Sequence, residues 1–227
     1  SDGTVVDVTA TADPGWRFSH WIGNTAITPV IRVTMSQDVV LTAVFRKTYT
    51  LTLAVEGGGQ TSPAVGSYVC DSGTKITVIA TPEEGWVFDH WVGSDSTDST
   101  IQTKVESDIS LVAVFRKVQI LILNTEGRGT TDPVPGTHVY DAGSLLTISA
   151  IPEEGWRFSH WIEAPNEGSR IQLTLVQDVT LTAVFQKTYH LTIAVEGGGS
   201  VLPASGDYIY DAGTLVAVLA TPDSGWR

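Results

Sequence analysis

Apolar and polar residues alternate singly along much of this chain. Tyr49, Leu51, Leu53 and Val55 are separated by Thr48, Thr50, Thr52 and Ala54, the period-2 pattern of a strand with one buried face. Gly57-Gly58-Gly59 ends the run, and Pro63 and Gly66 punctuate the loop after it. Short strands are expected at residues 68–70 and 75–81, on either side of an Asp71-Ser72-Gly73 turn. Pro82-Glu83-Glu84-Gly85 turns the chain into an aromatic strand at 86–92. A polar loop at 93–100 precedes strands at 101–105 and 109–115, joined by a turn at Ser107-Asp108. No segment of helical length carries helical periodicity. Six or so short, closely spaced strands predict a small all-β module, either β-grasp-like or a small open sandwich.

The same pattern then returns. Gly15-Trp16, Gly85-Trp86, Gly155-Trp156 and Gly225-Trp226 stand 70 residues apart, and Ala43-Val44-Phe45 recurs as Ala113-Val114-Phe115 and Ala183-Val184-Phe185. Gly57 and Gly59 recur as Gly127/Gly129 and Gly197/Gly199, while the middle position becomes Arg128. The outer glycines are expected to supply positive φ in a hairpin turn. A fixed period without drift marks a tandem array. Residues 48–117 and 118–187 are complete copies, 1–47 the C-terminal part of one and 188–227 the N-terminal part of another.

Leu41, Ala43, Phe45, Lys47, Tyr49, Leu51 and Leu53 keep one parity across the junction between copies, with no Gly-, Pro- or Ser-rich linker between them. The last strand of one copy is therefore expected to run into the first strand of the next, giving an elongated, stiff array. Lys47, Lys117 and Lys187 interrupt the stripe as a solvated point. The chain opens without an initiator Met, a leader or an apolar span, as expected of a window from a longer exported protein.

Composition narrows the partners. The net charge is −12, and both complete copies are acidic, which argues against nucleic acid and against insertion into or adhesion to an anionic membrane. One cysteine, Cys70, excludes a disulfide framework. It stands where other copies have Tyr140 and Tyr210 and reads as a half-buried small apolar group.

Several residues invite a chemical reading. Trp16, Trp86 and Trp156 share parity with a nearby Phe and, with Trp226 at the same place in the repeat, read as core. Trp21, Trp91 and Trp161 flank the variable loop, where two roles are open: core packing, or an exposed ring that stacks on a sugar. His20, His90 and His160 precede those tryptophans without a second ligand nearby, so a buried or capping histidine is expected rather than a metal site. Asp95 and Asp98 could offer oxygens to a ligand or Ca²⁺, but their counterparts do not recur and the EF-hand spacing is absent. Lys117, Asp108 and Glu126 recur and contain the residue types of an isopeptide cross-link, although nothing in the sequence places them together or buries them. There is no Gly-x-Ser-x-Gly, P-loop or zinc signature, so neither catalysis, nor a cofactor, nor a metal is expected.

In order, these landmarks resemble the divergent InlB B-repeat family of bacterial surface proteins. The resemblance is carried by Tyr189-His190-Leu191, Gly197-Gly198-Gly199 with Pro203, and Tyr210-Asp211-Ala212-Gly213. It continues through Pro152-Glu153-Glu154-Gly155-Trp156-Arg157-Phe158-Ser159-His160-Trp161 and Ala183-Val184-Phe185. It covers essentially the whole chain; the His before Trp and Cys70 depart from its pattern. It implies an extracellular or cell-wall-linked repeat without catalytic residues. Three roles follow as expectations: a spacer or stalk that presents other domains, an adhesive or carbohydrate-binding array, and a filament whose split repeats complete one another head to tail. The partners are then neighbouring repeats of the same chain, other copies end to end, and host or cell-wall glycan.

Overall fold

The computed structural model describes residues 3–164 and 168–227. Every regular element among them is a strand, and these residues include no helix long and apolar enough to cross a membrane. The chain divides into two compact units, Ser1–Lys117 and Val118–Arg227.

The first unit contains β1 (Thr4–Thr9), β2 (Trp16–Ile22), β3 (Val30–Met35), β4 (Thr42–Glu56), β5 (Gly59–Ser62), β6 (Gly66–Asp71), β7 (Lys75–Pro82), β8 (Trp86–Val92) and β9 (Thr100–Lys104), with the start of β10 (Ile109–Glu126). In the copy at 48–117, β6 pairs antiparallel with β4, from Thr48↔Asp71 to Leu53↔Gly66. β4 pairs parallel with β10, from Leu51↔Ile109 to Glu56↔Val114. β10 in turn pairs antiparallel with β8. The parallel pair lies inside the sheet, flanked on both sides, where its weaker ladder is protected. A second antiparallel sheet runs β5–β7–β9.

The alternation seen in sequence decides how the two sheets meet. Leu51, Leu53, Trp91, Leu111, Ala113 and Phe115 project from the mixed sheet and join Val78, Ala80 and Ile101 of the second sheet in one buried cluster. Each module is thus two small sheets around one core, the sandwich form of an all-β module. At roughly 1.5–3 kcal/mol for each large apolar side chain buried, this cluster is the main source of module stability.

The second unit repeats the plan with the end of β10, β11 (Gly129–Asp132), β12 (Gly136–Asp141), β13 (Leu145–Pro152), β14 (Trp156–Ile162), β15 (Arg170–Thr174) and β16 (Val179–Ile193). It continues with β17 (Gly199–Leu202), β18 (Gly206–Asp211) and β19 (Leu219–Pro222). Its core joins Leu121, Leu123, Trp161, Leu181, Ala183 and Phe185 to Ile148, Ala150 and Ile171. In residues 1–47, β1 pairs with β3 and β2 pairs with the first part of β4, matching the back strands of a complete copy.

Two expectations need correction. The glycine triplet does not close a hairpin: β4 and β5 enter different sheets, so the turn carries the chain from one layer to the other. Only Gly57 of its outer glycines has positive φ, at 87°. Gly59 is needed for space, since a Cβ there would lie 2.4 Å from the Phe115 ring. Residues 59–62, expected as turn and loop, form β5.

The expected continuity of strands is present. β4 pairs with β2 through residues 42–47 and with β6 through residues 48–53. It thus serves two successive copies without a break. β16 does the same with β14 and β18. β10 supplies residues 109–117 to the first unit and 118–126 to the second.

Candidate functional site

The two sets of tryptophans separate clearly. Trp21, Trp91 and Trp161 are 6%, 3% and 1% exposed. Their indole N–H groups donate to the carbonyls of Thr28, Asp98 and Gly168, each at 3.0 Å. Phe18, Phe88 and Phe158 pack beside them with centroids 5.5–5.6 Å away. Of the two roles left open by the sequence, these rings occupy the core; stacking on a sugar requires an open face. The loop side chains Asp95 and Asp98 are exposed. No group of three potential metal ligands occurs among the described residues.

The first tryptophans have a different task. Trp86 and Trp156 are partly buried against their cores and lie on the glycine turn. A Cβ on Gly57 would meet the Trp86 ring at 2.9 Å and the Phe115 carbonyl oxygen at 2.4 Å. Gly127 has the same relation to Trp156 and Phe185. The two turns are also bonded directly, Glu83 N–H to the Gly58 carbonyl at 3.2 Å and Glu153 N–H to that of Arg128 at 3.3 Å. This explains why Gly-x-Gly and Gly-Trp recur together. Trp16 and Trp226 are 46% and 60% exposed, so the core role expected of them is not met in residues 1–47 and 188–227.

The histidines before the second tryptophans are exposed rather than buried. A register shift at each bulge turns them outward. His20 and His160 Nδ1 lie 3.1 Å from the hydroxyls of Ser19 and Ser159, and His90 Nδ1 lies 2.7 Å from Asp89. Asp108 accepts the Thr50 backbone N–H at 2.8 Å, as Asp178 accepts that of Ile120. The recurring aspartate therefore caps the start of the parallel pair. Lys117 and Glu126 are exposed, unlike the enclosed groups of an isopeptide cross-link. Cys70 is half-buried beside the core. A groove of about 440 Å³ in the second unit is lined by Glu163, Ile171, Leu173, Gln177, Asp178 and Leu181, among others.

A polar arrangement recurs at the joint between copies inside each unit. In the first unit, Thr48 N–H donates to the Gly15 carbonyl and Ser72 N–H to the Lys47 carbonyl, both at 2.8 Å. Beside them, Arg17 donates from Nε and Nη2 to the two carboxylate oxygens of Asp71. Arg46 stands 3.6 Å from the same carboxylate. The second unit repeats this with Thr188 to Gly155, Ala212 to Lys187, and a two-pronged Arg157–Asp211 pair. These hydrogen bonds hold the Asp71 and Asp211 carboxyls below the ordinary aspartate range. Lys47 and Lys187 lie over the rings of Tyr49 and Tyr189 at 5.0 and 4.9 Å, so this solvated lysine also covers the joint. Sequence reasoning missed the arginine–aspartate pairs. Their only signal is a shared spacing of 54 residues, visible once the repeats are superposed.

A family model described as a divergent InlB B-repeat domain matches the chain four times, over residues 1–48, 49–119, 121–188 and 189–227. No curated protein and no solved structure matches it.

Proposed function

The chain belongs to the divergent InlB B-repeat family, and from that membership we propose that it serves as a stiff structural spacer in a secreted bacterial surface protein, holding other domains away from the surface. The observation that carries this reading is the construction of the joints inside each unit. One uninterrupted strand serves two successive copies, and paired backbone bonds fasten the next copy where a flexible linker would otherwise stand. A repeat built this way spends its recurring residues on core, turns and joints, which suits a mechanical role.

Small-angle scattering of the whole chain tests this. The profile is expected to lack the signature of beads on a flexible string and to stay unchanged with dilution. Inserting Gly-Ser-Gly between Lys47 and Thr48 is expected to introduce that signature. A native chain that already scatters as flexibly linked beads would overturn the reading.

A further inference from the structure

The joints carry a second layer of information. Asp71, Asp141 and Asp211 occupy the same place in three successive copies, whereas the residue 54 positions before each one changes: Arg17, Val87, Arg157. The aspartate is constant and the earlier residue varies. In both joints that lie within a unit, the reaching residue is arginine, and it grips the aspartate with a two-pronged pair.

We propose that the end face of a repeat is a recognition surface for the repeat that follows, and that Arg17 and Arg157 are positioning residues that fix the angle at which an aspartate-bearing neighbour docks. The inference rests on the spacer reading and assigns the control of its stiffness to particular side chains.

The geometry supports a division of labour. The backbone bonds at Thr48 and Ser72, and at Thr188 and Ala212, lie close to the continuous strand. They fix where along it the neighbour sits but leave twisting and bending about it less constrained. A planar guanidinium bonded through two nitrogens to two carboxylate oxygens restrains rotation in a way that a single point charge cannot. The pairs also lie away from the strand axis, joining the start of β2 to the end of β6 and the start of β14 to the end of β18. Gly15 and Gly155 set up the reach. Both adopt positive φ, at 79° and 76°, with no atom within 4 Å of where a Cβ would stand. There glycine serves the turn rather than close packing, and it directs the following arginine along the joint. The two joints differ in charge, since Arg46 adds a second cation at the first, where the second has Gln186.

The second joint gives the cleaner test because it holds one arginine. In the full chain with Cys70→Tyr, the residue found at that position in the other copies, spin labels would be placed at the exposed positions Gln172 and Ser200 through Gln172→Cys and Ser200→Cys. Their distance distribution would then be measured by pulsed electron resonance. A narrow native distribution is expected, broadening about twofold in Arg157→Val and in Asp211→Asn. Arg157→Lys is expected to fall between, having charge but no fork. The charge swap Arg157→Asp with Asp211→Arg is expected to restore a narrow distribution. If the native distribution is already broad, the spacer reading fails. If it is narrow and Arg157→Val leaves it unchanged, the spacer stands and the positioning role is overturned. Should either single change unfold β18 in hydrogen exchange, the swap decides: recovery supports the pair, and no recovery overturns it.

Discussion

Gly58 and Arg128 occupy the same place in successive copies, and the contrast with their neighbours shows what each glycine is for. The nearest atoms that a Cβ at Gly58 would meet belong to the Trp86 ring, with Nε1 at 2.4 Å, and a ring can shift. A Cβ at Gly57 would strike the Phe115 carbonyl, and its φ of 87° disfavours any L side chain. Gly57→Ala is therefore expected to destabilise the copy at 48–117 by about 2 kcal/mol or more. Gly58→Arg, which copies the natural variation, is expected to stay within about 1 kcal/mol. Urea denaturation of the two variants checks both. Much at this scale was legible in the sequence: Leu51, Leu53 and Phe115 lie on the buried parity, and Cys70 is half-buried as its exchange with tyrosine suggests. The outward turn of His20, His90 and His160 was not, because one bulge residue reverses the faces that strict alternation assigns.

At the scale of elements, the period-2 pattern located most strands because each has one face on the core. β5 escaped it because Gly59-Gln60-Thr61-Ser62 contains no large apolar residue; it pairs with β7, and the residue it buries is Thr61. The parallel alignment of β4 with β10 was equally hidden, since nothing local to either strand encodes a register between residues about one copy apart. Asp108 is the exception in retrospect, a conspicuous recurring residue whose carboxylate caps the Thr50 N–H. Asp108→Ala is expected to cost about 1–3 kcal/mol by leaving that donor without its partner. Faster amide exchange at Thr50 than at Leu53 would identify the cause, whereas equal exchange at both would argue for a general loss of packing.

For the whole molecule, charge and joints respond to acid differently. The sequence pI is about 4.6, so mutual repulsion between chains vanishes near that pH and solubility is expected to pass through a minimum there. The joint carboxyls behave otherwise. Because hydrogen bonds from Arg17 and Arg157 depress Asp71 and Asp211, their stabilising contribution is fully present above the ordinary aspartate value of about 3.9 and is lost only as the pH falls through the depressed folded value. The chain is thus expected to self-associate near its pI with its joints intact, and to loosen them only in stronger acid. Light scattering together with the Gln172–Ser200 label distance, followed from pH 7 to pH 2, would show the two events in that order; joints that open before the solubility minimum would contradict it. The tryptophan tether has a further consequence. Trp21, Trp91 and Trp161 hold the variable loop by a main-chain carbonyl seven residues on, and every residue type offers that atom. The loop can therefore change its side chains freely while its anchor stays in place. An array of such repeats is a ready-made display scaffold, with one diversifiable port per module into which foreign peptides or randomised libraries can be grafted.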